Sequence, residues 1–167
     1  MNNAPAMSDE KFCLYKYRSQ KASKIKIALV VYISFVFIQS LFYKFADAPE
    51  TQYIFATLDA WAAGFAIPGL FQPGGIFSAK VIGSAELVAS SVMLASLITG
   101  LVYLRVAGAL LSIAIISGAI FFHLFTPLGV EVLEDGGLLF AMACGVWLSA
   151  VSLLFMERDF IKKILGK

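Results

Sequence analysis

The 167-residue chain is 60% hydrophobic and 14% charged, with a formal net charge of +2 and a mean hydropathy of +0.85. Soluble domains average roughly 45–50% apolar and about 25% charged residues, and a chain this short must keep much of its surface wet. The composition therefore excludes an ordinary water-soluble domain and names lipid as the solvent. Its two cysteines, Cys13 and Cys144, form neither a CxxC pair nor a disulfide framework.

Residues 1–26 are polar and carry Lys11, Lys16, Arg18, Lys21, Lys24 and Lys26. They read as a basic cytoplasmic tail with a short interfacial helix around 12–17. The tail is too long and too charged for a signal-peptide n-region, and no small-residue cleavage site follows, so the next apolar run is expected to stay as an anchor. Uncharged or nearly uncharged runs cover 27–43, 81–104 (broken by Glu86), 106–130 (with His123) and 136–156. A span needs roughly 20 apolar residues, and each run reaches that length with its flanks. The expected fold is all-α: an integral-membrane bundle of four helices over 27–157, followed by a second basic tail over 158–167.

Between the first two runs, Asp47-Ala-Pro-Glu50 has the form of a helix start, with Asp47 as N-cap and Glu50 at the capping-box position. Ile54, Leu58, Trp61 and Phe65 follow at helical spacing beside Asp59, and Pro68-Gly69 and Pro73-Gly74-Gly75 stop the helix. The segment 48–66 is thus expected to be an amphipathic helix on the outer surface or folded over the bundle mouth. Small residues recur by four at Gly108 and Ser112, and at Gly137, Ala141, Gly145 and Ser149, as at surfaces where lipid-embedded helices pack closely. Lys/Arg bias sets the orientation. Arg105, Arg158, Lys162, Lys163 and Lys167 join the amino-terminal tail on one side, against Lys44 and Lys80 on the other. Both termini are expected in the cytoplasm, with Arg105 as a topology anchor.

Glu86 is the most informative residue. It lies about 8 Å along its helix from the outer end at 1.5 Å per residue, where a carboxylate must be paired, protonated or facing a polar cavity. His123 and Lys44 fall in the same outer half, with Lys44 able to snorkel toward Glu86; Ser40 and Ser90, one turn away, extend the same faces. The cluster Lys44, Glu86, His123, Ser40 and Ser90 reads either as an outward-facing polar pocket that binds a ligand or handles protons, or as a structural ion pair. Glu131, Glu134 and Asp135 read as solvated loop charge. One histidine excludes bis-histidine haem within the chain, and too few ligands are present for a closed metal site. No phosphate loop, serine elbow or HExxH occurs, and the basic tail suits a membrane surface better than nucleic acid.

The stretch 83–125 resembles the second and third helices of DoxX-like membrane proteins: Gly83-x-x-Glu86-Leu87, then a small- and Leu-rich helix, then Arg105 and His123. Ser40–Lys44 is similar to the family's Gly-x-x-x-Lys ending of helix one, with Ser40 replacing the glycine, and Pro68-Gly69 fits the loop that follows. Ala89-Ser90-Ser91 departs from the usual Gly-rich continuation. The resemblance implies a small bacterial inner-membrane subunit that supports quinone-linked electron transfer. Quinone would be the bound cofactor, and a redox partner protein or larger complex would carry the electrons. A non-catalytic scaffold is the alternative; a small transporter is less favoured because no inverted repeat is evident.

Overall fold

The computed structural model describes residues 22–166. The expected tail helix at 12–17 and Cys13 lie outside the described residues. Six helices and no strand are found within them: α1 (Lys24–Phe45), α2 (Pro49–Ala63), α3 (Ala79–Thr99), α4 (Val102–Phe125), α5 (Leu138–Met156) and α6 (Arg158–Ile164). Helices α1, α3, α4 and α5 are long and apolar enough to cross a membrane, and they form a four-helix membrane bundle. Each of α1 and α4 packs against both α3 and α5, so chain order closes into a ring. Lys24 and Met156 lie at one end of this bundle, here the tail end; Phe45 and residues 126–137 lie at the other, the loop end.

Between α3 and α4 the chain turns in two residues, which forces antiparallel neighbours. Gly100 makes the turn at φ 69, its N–H donating to Ser96 O at 3.1 Å, in the left-handed geometry that glycine adopts freely. The apolar runs place this boundary later, at Arg105. The structure instead continues α4 back through Arg105 to Val102, which carries the arginine into the bundle. The core joins Val30, Ile33 and Phe37 of α1 with Met93 of α3, Ile116 of α4, and Val146 and Leu153 of α5.

The small-residue stripes are only partly packing surfaces. A methyl added at Gly108 would lie 2.7 Å from Met93 Cγ, so glycine sets the approach of α4 to α3. Gly145 lies under the Tyr32 ring of α1. Gly137, however, is the left-handed N-cap of α5, and Ala141 is exposed. Ala143, Val146, Ala150 and Leu153 form the buried stripe of α5, the three-and-four spacing of a helix in a bundle.

Helix α2 lies across the loop end. Leu58 and Ala62 pack with Phe71, Leu128 and Val132 in a second, smaller core, and Phe71 meets Phe122 of α4 edge-on at 5.3 Å. Asp59 fastens the following loop to α2: its Oδ1 accepts from Phe71 N at 3.2 Å and its Oδ2 from Gln72 Nε2 at 2.8 Å. Ala48, not Asp47, is the N-cap. The residue before a proline is driven to extended backbone, and Ala48 takes φ −61, ψ 156 ahead of Pro49. Asp47 consequently sits at φ 53, where its carbonyl accepts from Gln52 Nε2 at 2.9 Å. The helix stops at Ala63, which leaves Phe65 outside it and 66% exposed.

Candidate functional site

Lys44 occupies the last turn of α1 and Glu86 the second turn of α3. The two helices are neighbours, and the long lysine stem reaches back along the bundle to the carboxylate. Lys44 Nζ lies 3.0 Å from Glu86 Oε1, Ser40 Oγ donates to Glu86 Oε2 at 3.0 Å, and Lys44 also donates to Ser40. Glu86 is 5% exposed, whereas the Lys44 side chain keeps 17%. The carboxylate is thus closed on both oxygens, while the Lys44 side chain stays partly exposed.

Lys44 also lines a cavity of about 800 Å³ between α2, the end of α1, the loop before α3 and the first residues of α3. Lys44, Asp47, Gln52, Asp59, Gln72 and Lys80 supply its polar wall, and Phe45, Phe55 and Phe71 much of the apolar one. Its size is that of ordinary small-molecule pockets, which pair apolar walls with a few placed polar groups. An ammonium has three donors; Ser40 and Glu86 take two. Glu86 does not line the cavity and acts on it by holding Lys44.

The remaining expected members lie elsewhere. Ser90 Oγ donates at 2.8 Å to the backbone carbonyl of Glu86, not to its carboxylate; this bond back to the preceding turn satisfies a buried hydroxyl within one helix. His123, 8% exposed at the end of α4, has its Nδ1 2.7 Å from Gly129 O and its ring edge-on to Phe140 at 5.6 Å. A carbonyl only accepts, so Nδ1 carries the proton and is bonded within the 126–137 reversal, not to Lys44 or Glu86. The chain reversal at 126–137 captures the histidine before it can reach the α1–α3 interface.

Asp135 is held within that reversal and is not a freely solvated charge. Its carboxylate accepts from the N–H groups of Val132, Gly137 and Leu139, each at 2.9 Å. Partial burial pushes its pKa up, but these three bonds and the nearby His123 charge outweigh it and hold the group below its usual 3.8. It serves as the side-chain cap of α5, one that the Asp-Gly-Gly sequence before an apolar run signals.

A second ionic cluster closes the tail end. Arg105 is 1% exposed and donates from Nε to Glu157 Oε1 at 2.7 Å; Lys26 Nζ meets the same oxygen at 2.8 Å. Arg105 is therefore buried among α1, α4 and the α5–α6 junction instead of lying in a connection. Glu157 escapes a reading by charge bias because, next to Arg158 at the end of a span, it resembles a solvated helix-end charge. The available signal was its position level with Arg105 and Lys26 at the same end of three spans. Among the described residues no group of three or more His, Cys, Asp or Glu side chains could hold a metal ion. No family model, curated protein or solved structure matches this chain.

Proposed function

We propose that this chain is a small inner-membrane subunit that binds the head group of a quinone at its outer face and so supports the electron transfer of a redox partner. The observation that carries this reading is the cavity of about 800 Å³ at the loop end with Lys44 among the residues of its wall. A quinone head group is a flat apolar ring with two carbonyl oxygens. Phe45, Phe55 and Phe71 suit the ring, and the third Lys44 donor suits a carbonyl. Positive charge at that oxygen favours the reduced, more anionic forms of the ring. No described side chain carries electrons, so the partner supplies the redox centre. The DoxX-like pattern at Gly83, Glu86, Leu87, Arg105 and His123 supports the same setting, with His123 removed from the ligand site and assigned to the 126–137 loop.

One observation favours a second reading, a non-catalytic scaffold: Lys44, Glu86 and Ser40 already satisfy one another. The two readings separate when melting temperature and binding of a soluble quinone analogue are measured on the same detergent-purified proteins. Under the ligand reading, the wild type binds saturably and Lys44→Gln weakens binding about tenfold, the loss of one charged hydrogen bond. A wild type with no saturable binding sinks the quinone reading and leaves the scaffold. Mass spectrometry and visible spectroscopy of what co-purifies in mild detergent then identify the partner.

A further inference from the structure

The cluster at the tail end is electrostatically incomplete. Two cations, Lys26 and Arg105, share one oxygen of one carboxylate, which leaves a net charge of one positive unit. Arg105 is 1% exposed, and its Nη1 and Nη2 are buried with no hydrogen-bond partner. Burying a charge or its donors unpaired is costly, so this arrangement is expected to persist only if an acceptor completes it.

Helix direction adds to the demand. Arg105 lies in the first turns of α4, whose N-cap Leu101 gives no side-chain bond and whose first turn holds no acidic residue. A helix N-terminus carries partial positive charge and favours anions; a buried arginine there is the reverse of the usual placement. The same anion would satisfy the free guanidinium nitrogens and the uncapped helix end together.

We infer that the Lys26–Arg105–Glu157 cluster binds a phosphate oxyanion at the tail-end membrane surface, independently of the cavity at the loop end. The planar guanidinium fork matches phosphate oxygens in pairs. Arg105 lies three residues into α4, about 4.5 Å at 1.5 Å per residue, a depth close to the head groups of the adjoining leaflet. Such a phosphate comes either from an anionic lipid or from free phosphate.

The two sources separate in micelles of a phosphate-free glycoside detergent that hold the full chain at constant ionic strength. The micelles contain the detergent alone, the detergent with phosphatidylglycerol, or the detergent with added inorganic phosphate. A lipid source raises the melting midpoint by about 2–4 °C in the phosphatidylglycerol micelles only; a free source raises it in the phosphate arm. Arg105→Gln removes the shift. Arg105→Lys keeps the charge and the fold but lacks the fork, and reduces the shift by half or more. Lys162→Gln, at an exposed position of α6, leaves it intact. No shift in either arm overturns the inference. So does a shift that Arg105→Lys leaves whole, or one that Lys162→Gln removes equally, since either marks general attraction to a charged surface.

Discussion

At the level of single residues, the loop-end ion pair is asymmetric, and the asymmetry is testable. Glu86 is enclosed, while Lys44 borders the cavity. Removing the carboxylate leaves an ammonium that can turn into water; removing the ammonium strands a buried carboxylate. Lys44→Met is therefore expected to cost about 3–5 kcal/mol, the range for breaking a buried pair. Glu86→Gln, which retains an acceptor for Ser40, should cost about 1–2 kcal/mol. Equal losses, or the reverse order in denaturant titrations, would show that the cavity does not solvate Lys44. Asp135 gives a second test. Its folded pKa lies below the usual 3.8, so its stabilisation is present above the unfolded value and is lost as pH falls through the lowered one. Asp135→Asn should cost about 1–2 kcal/mol at neutral pH, as loss of a helix cap does. The gap from wild type should close on acidification below the folded value. Melting curves of both proteins across that range check it, and a gap independent of pH would remove the charge from the account.

Among the elements, the four spans are legible because lipid imposes one requirement, length with apolarity, that a sequence displays openly. Their boundaries are less so. Counting charges marks Arg105 as the break between two runs, whereas Gly100 makes the turn through a backbone conformation that no charge count weighs. The site was half legible for a similar reason. Lys44, Ser40 and Glu86 meet because α1 and α3 are neighbours and helical rise puts them at one depth. The partner of His123 depends on how residues 126–137 fold back, and no periodicity encodes that. Packing between α3 and α4 can be read the same way. Gly108 and Ser112 look like a contact stripe, but only the structure shows that Met93 is what Gly108 admits. Gly108→Ala should destabilise by forcing Met93 to move, and Met93→Ala by leaving a cavity where a fully buried side chain stood. In the double variant the new methyl enters space that the methionine vacated. Its cost should fall short of the sum by about 1–2 kcal/mol, within the range found for residues in contact. Additive losses would mean that the two helices do not meet at this point.

Over the whole molecule, an ionic cluster stands at each end of an apolar ring of four helices, and the two differ in sign balance. Lys44 and Glu86 cancel at the loop end; Lys26, Arg105 and Glu157 leave one positive charge at the tail end. The exposed charge follows the same direction. Lys24 and Lys162 are exposed at the tail end, while the loop end exposes Lys80 among Asp47, Glu131 and Glu134. Basic residues close to span ends are retained on the cytoplasmic side, and acidic ones weigh little in that choice. The tail end is accordingly expected to face the cytoplasm, which would open the Lys44 cavity to the outside. Single-cysteine variants test this once Cys13 and Cys144 are replaced. A cysteine at Ala48, just before α2, or at Glu134, an exposed residue of the 126–137 loop, should react with a membrane-impermeant maleimide in intact cells. The native Cys13, kept alone in a Cys144→Ser background, should react only after the membrane is permeabilised. The opposite pattern would invert the bundle, turn the Lys44 cavity toward the cytoplasm, and rule out the proposed outward-facing quinone site while leaving the fold untouched.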